Sequence, residues 1–193
     1  MGRGKSELFL SYGMAALATT LGKLASDICL FNSQNFNFLK LPDEFTTGSS
    51  IMPHKKNPDV FELIRGHCNI LTALPLQITS LTNNLTSGYH RDFQLLKTVM
   101  FPAIQQLKSC LEMASYALQS IQVQENILED EKYKYLYTVE AVNAAVLAGL
   151  PFREAYQRIG QQVEAGTFQF EGELHHTHEG SLGNLCHSDI QAK

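Results

Sequence analysis

The densest chemistry in the chain lies in one short string, Gly48-Ser49-Ser50-Ile51-Met52-Pro53-His54-Lys55-Lys56-Asn57-Pro58. It offers two hydroxyls beside a glycine, then two lysines and an asparagine, and it ends on a proline suited to a helix start. Unbonded backbone N–H groups at a helix N-terminus attract anions. These residue types therefore suggest a site for a carboxylate or a phosphate, although a solvated basic loop would have the same composition. The few apolar anchors between residues 43 and 57 suggest a mobile segment. Glu62 follows one turn into the next helical pattern, and Tyr89, Asp92, Gln94 and Lys97 come after a second polar connection. Gln94 and Lys97 are three apart, so on a helix they share a side. On residue types alone that pair reads as a solvated face.

A second cluster, His175-His176-x-His178 with Cys186-His187, invites a metal reading. Its spacing is only loosely that of ligands, and an exposed polar tail is the better account. The chain has no glycine-rich phosphate loop of the dinucleotide or Walker type. Four scattered cysteines form no Cys-x-x-Cys pair, and three lie inside apolar periodic segments, as free thiols do in a reducing compartment.

The elements that must position these groups are helical. Leu10, Met14, Leu17, Leu21, Leu24, Ile28 and Phe31 alternate spacings of four and three, which is a heptad seam. Ala18 and Ala25 fall one position along, where small side chains admit a neighbouring helix. The next 27 residues, 32–58, hold three prolines and no sustained period, and read as a long connection. Period returns at Asp59, with Val60, Leu63, Ile64, His67, Leu71, Leu74, Ile78 and Leu81 on one face and a kink or break expected at Pro75. A third long pattern runs from Leu96 to Ile121, with a bend expected at Pro102. After a polar, tyrosine-rich stretch, two short helices are expected over 136–148 and 152–165, with Gly149 ending one and Pro151 starting the other.

The chain thus reads as all-α: part of a long-helix bundle over 1–128, carrying the loop 43–58, then a small helical C-terminal domain and tail over 129–193. Its 193 residues carry a formal charge of −4 with no basic block, which argues against nucleic acid as partner. At 44% hydrophobic and 18% charged it can build a core. No uninterrupted apolar run approaches the roughly 18–20 residues of a membrane span, and the N-terminus lacks a signal-peptide pattern. Three such helices would cover their apolar seams poorly, so the reading is an oligomer, a piece of a longer polypeptide, or both.

Gly-Ser-Ser-x-Met-Pro-x-Lys-x-Asn-Pro resembles the signature of the fumarase/aspartase superfamily and matches it at every position. The flanks narrow the resemblance. Lys55-Lys56-Asn57-Pro58-Asp59 with Glu62-Leu63-Ile64-Arg65, Tyr89-x-x-Asp92-x-Gln94-x-x-Lys97, and Leu150-Pro151-Phe152-Arg153-Glu154-Ala155 are similar to argininosuccinate lyases and the delta crystallins, over residues 7–166. The resemblance implies a helical bundle that forms a homotetramer through its long helices, in the cytoplasm. It implies cleavage of argininosuccinate to arginine and fumarate by anti β-elimination, within arginine biosynthesis and without a cofactor or metal. Ser49 matches the catalytic base, and Glu62 the glutamate that orients a catalytic histidine. Ser50, Lys55, Asn57, Tyr89, Gln94 and Lys97 match substrate contacts. The family's proton-donor histidine segment is absent from these residues, so a C-terminal piece, inactive alone, is expected. Adenylosuccinate lyase and a catalytically silent crystallin-like scaffold remain the alternatives.

Overall fold

The computed structural model describes residues 2, 4–48, 51–52, 55–170, 172, 176–181 and 184–192. The chain divides into two compact units, Met1–Glu125 and Asn126–Lys193.

In the first unit, helix α1 (Lys5–Phe31) packs along α2 (Asp59–Thr72) and also meets α3 (Leu74–Thr82) and α4 (Leu96–Leu118). The stripe α1 buries is Ser11, Met14, Ala18, Leu21, Ala25 and Ile28, a three-and-four pattern. Ala18 and Ala25 are 0% exposed, whereas Leu10, Leu17 and Leu24 remain 50%, 43% and 37% exposed. The seam is therefore divided: Met14, Leu21 and Ile28 join Ala18 and Ala25 in the unit's own core, and Leu10, Leu17 and Leu24 stay partly exposed. The helices α1 and α2 approach closely at Gly22, where a Cβ would lie 3.2 Å from Cys68 Cβ of α2. Ser11 is buried without cost to its hydroxyl, which donates to the Leu8 carbonyl at 2.6 Å.

One expectation from the sequence needs correction. Helix α1 is long and apolar enough to cross a membrane by length and mean hydropathy, which reaches 1.3 over 18 residues. Its polar residues are Ser, Thr and a few charges spread thinly, so no single apolar run had stood out. Its inward stripe is buried against α2, α3 and α4, as in the core helix of a bundle.

Pro75 produces a break, as expected. The Ala73 N–H turns to the Ile70 carbonyl at 3.2 Å, and α3 restarts with Pro75 in its first turn, where the missing N–H has no helical partner to lose. Pro102 lies inside α4, which continues to Leu118. The described residues of the connection over 32–58 include two short strand pairings. Strand β1 (Leu39–Lys40) pairs antiparallel with β4 (Gln122–Val123), and β2 (Thr47–Gly48) pairs with β3 (Lys56–Asn57). Phe45, in a 3-10 turn, is buried and meets the Tyr116 ring of α4 edge-on at 5.5 Å. Strands of two residues carry no periodicity, so the sequence pattern could not reveal them.

In the second unit, α5 (Thr138–Leu147) and α6 (Phe152–Glu164) pack around Val142, Ala155, Ile159 and Phe168. Gly149 has φ 102°, a left-handed turn that a side chain would strain, and the Leu150 N–H closes it onto the Ala145 carbonyl at 3.1 Å. Tyr137 and Phe170 stack at 5.2 Å. A short helix, α7 (His187–Gln191), follows.

Candidate functional site

Ser49, Ser50 and His54 lie outside the described residues; the groups on either side of them are placed. Thr47 faces Asn57 and Gly48 faces Lys56 across the β2–β3 pair, so the two ends of the loop come together. The Lys55 N–H donates to the Met52 carbonyl at 3.0 Å, and the Lys55 side chain is exposed. Lys56 pairs with Asp43, and the Thr47 hydroxyl donates to Asp59 Oδ2. Asn57 is half-buried. Helix α2 begins directly after Pro58, whose carbonyl accepts from the Phe61 and Glu62 N–H groups at 3.0 Å each. No side chain caps this N-terminus. Its positive end is balanced in part by two carboxylates of its own first turn, Asp59 and Glu62.

Glu62 is exposed, and it shares its surroundings with Arg65 and the thiol of Cys29. Burial pushes the Cys29 thiol up, the Arg65 guanidinium opposes this, and the Glu62 carboxylate adds to it. Sequence reasoning had no signal for Cys29 as a neighbour of Glu62, because only the α1–α2 packing brings them together.

The second group sits where α4 starts. Gln94 closes a 3-10 turn, Arg91–Gln94, and its Nε2 donates to the Tyr89 hydroxyl at 3.3 Å. Lys97 lies in the first turn of α4 and is exposed. Between Gln94 and Lys97 the chain passes from 3-10 to α geometry through Leu95, which is itself helical. His90 Nε2 lies 2.8 Å from the Thr86 carbonyl, a local turn contact.

These two groups occupy opposite ends of the helices. A Cβ at Gly4 would lie 2.7 Å from Thr82, which ends α3, and 3.3 Å from Phe93 in the 3-10 turn, so the segment leading into Lys97 lies level with the far end of α3. Glu62 to Gln77 is fifteen residues along α2 and α3, roughly 20 Å at 1.5 Å rise per residue. Lys55, Asn57 and Glu62 thus lie toward one end of the α2–α3 pair, and Gln94 and Lys97 toward the other.

In the tail, His175 lies outside the described residues. His176 Nε2 is 3.5 Å from Glu140 Oε1, and the His176 and His178 rings meet edge-on at 5.7 Å. Among the described residues, no three His, Cys, Asp or Glu side chains gather as metal ligands.

Known proteins resemble this chain in both fold and sequence. A lyase family model matches residues 8–71. Argininosuccinate lyase of Bacteroides fragilis is 57% identical over 192 residues, covering 100% of this chain and 43% of the relative. That of Parabacteroides distasonis is also 57% identical over the same shares. That of Thermotoga neapolitana is 38% identical over 83% of this chain and 40% of the relative. Among solved structures, EDDS lyase in complex with formate superposes with a TM-score of 0.67 at 22% identity, over 81% of this chain and 32% of that one. The 3-carboxy-cis,cis-muconate lactonizing enzyme of Pseudomonas putida gives 0.69 at 18% identity, over 83% and 36%. At such identities the structures establish the all-α lyase fold alone. Along its whole length this chain is 57% identical to argininosuccinate lyases, and it spans less than half the length of those curated relatives.

Proposed function

We propose that the whole protein of which these residues are part cleaves argininosuccinate to arginine and fumarate by anti β-elimination. The observation that carries this reading is the intact string from Gly48 to Pro58 in a chain 57% identical to argininosuccinate lyases along its whole length. In this reading Ser49 takes the proton from the carbon beside a carboxylate of the succinyl part. A serine is a weak base, so its alkoxide and the developing aci-carboxylate both need positive potential. Lys55 supplies a full charge, Asn57 and Ser50 supply hydrogen bonds, and the start of α2 supplies backbone N–H groups. Glu62 orients the histidine that protonates the departing nitrogen. Tyr89, Gln94 and Lys97 contact the substrate.

The roughly 20 Å between the two groups means that each site takes them from different copies. A homotetramer assembled through the long helices meets that need, and the outward leucines of α1 provide an apolar face for it. The reaction requires no electron sink, because held carboxylate charge acidifies the proton, and a cytoplasmic setting agrees with four free cysteines.

The test is turnover by the full-length protein, followed by the ultraviolet absorbance of fumarate, with adenylosuccinate as the competing substrate. Turnover of argininosuccinate that Ser49→Ala abolishes is expected. Turnover of adenylosuccinate alone, or of neither, would overturn the reading. A polypeptide of residues 1–193 by itself is expected to be inactive, since no histidine segment of the family's proton-donor type occurs in it. General acid catalysis is typically worth about 10²–10⁴-fold.

A further inference from the structure

The β2–β3 hairpin has two residues in each strand, and an isolated pair of that size is at best marginally stable in water. Something besides its backbone bonds must hold Gly48 against Lys56. The side chains at its base do this. The Thr47 hydroxyl donates to Asp59 Oδ2, joining β2 to the first turn of α2. Lys56 of β3 pairs with Asp43, in the 3-10 turn that buried Phe45 anchors against Tyr116. Thr46 Oγ1 closes the same turn onto the Asp43 carbonyl at 3.1 Å. Asp59 is the more consequential of the two carboxylates. It sits two residues after Asn57, with only the φ-restricted Pro58 between them, and three residues before Glu62.

We propose that Asp59 is a positioning residue for the lyase reaction: by accepting the Thr47 hydroxyl it fixes the base of the Gly48–Asn57 loop to the start of α2, and so fixes Lys55 and Asn57 relative to Glu62. This rests on the function proposed above. The pair touches no substrate in this account; it holds groups that do. Placement errors of about 1 Å at a reacting centre can cost about 10²-fold in rate, so a small loosening of the hairpin has a large lever.

The experiment uses the full-length protein with Thr47→Val, Asp59→Ala, the double variant and the conservative Thr47→Ser. Valine keeps the β-branched shape of threonine and removes only the hydroxyl. Expected are a fall in kcat of at least about tenfold for Thr47→Val and Asp59→Ala with a smaller change in KM, no further loss in the double variant, and recovery with Thr47→Ser. A role in stability alone would lower Tm and leave kcat per folded enzyme unchanged, which overturns the proposal. So would fully multiplicative losses in the double variant. Amide exchange at residues 47, 48, 56 and 57 is read in the same samples and is independent of the reaction. If the parent enzyme turns over no argininosuccinate, the functional reading fails by itself. The clamp then stands if exchange quickens in Thr47→Val and Asp59→Ala but not in Thr47→Ser, and falls if exchange is unchanged.

Discussion

The two ends of the first unit hold their polar groups by different means. At the end where α2 starts, backbone pairing, a helix N-terminus and two side-chain ties converge on the loop that carries Lys55 and Asn57. At the end where α4 starts, Gln94 of a 3-10 turn donates to the Tyr89 hydroxyl at 3.3 Å. Under the proposed function, the first arrangement suits groups that must not shift while charge develops, and the second suits contacts that adapt to a substrate. Their separation teaches the larger lesson. Long helices can carry polar groups on one chain yet keep them apart, and under the proposed function chemistry that needs both ends is completed by another copy.

The strongest way to break that comparison is to disable each end separately in the full-length enzyme. Lys55→Ala and Lys97→Ala should each cost on the order of 10²-fold in kcat/KM, the scale of losing one preorganised electrostatic contact. If the ends meet only between copies, mixing and reassociating the two inactive variants should restore part of the turnover, because some sites then receive both wild-type ends. Failure of any mixture to recover activity, with subunit exchange verified, would place both ends in one chain's site.

The next test concerns the faces of α1. Ala25→Leu forces a large side chain into a fully buried position and should destabilise the unit by about 1–3 kcal/mol, read as a lowered denaturant midpoint. Leu17→Lys with Leu24→Lys, on the outward side, should leave the midpoint nearly unchanged and shift the assembly toward smaller species in light scattering. An unchanged assembly would remove α1 from the contact between copies.

A smaller effect is expected from the inward face at high pH. Burial pushes the Cys68 thiol up to about 11 from an ordinary value of 9.0, with the neighbouring Cys110 adding to the rise. Its folded value is raised above its unfolded one, so the stabilising difference is fully present below about 9 and is lost as pH climbs toward 11. Stability should decline across that window, and Cys68→Ala should flatten the decline. The smallest change is Ser11→Ala, which removes a hydroxyl satisfied within its own helix. It is expected to cost no more than about 1 kcal/mol.

Much of this was legible in residue order, because helices write their own period. The helix over Leu10–Phe31, the break at Pro75 and the helix end at Gly149 follow from local rules of sterics and amphipathicity, and the structure bears them out. The identity of the candidate loop was likewise carried by eleven residues in a row. What residue order could not decide was which apolar positions would be buried. Met14, Leu21 and Ile28 of the seam are buried beside Ala18 and Ala25 while Leu10, Leu17 and Leu24 are not, and only the packing against α2 made that choice. The two-residue strand pairs, the Thr47–Asp59 tie, the nearness of Cys29 to Glu62 and the opposite placement of the two polar groups were also beyond its reach. Each depends on contacts between residues far apart in the chain, and a contact leaves no period behind. Local conformation is set by neighbours in sequence, whereas the assembly of a site is set by which surfaces the packed helices bring together and which they hold apart.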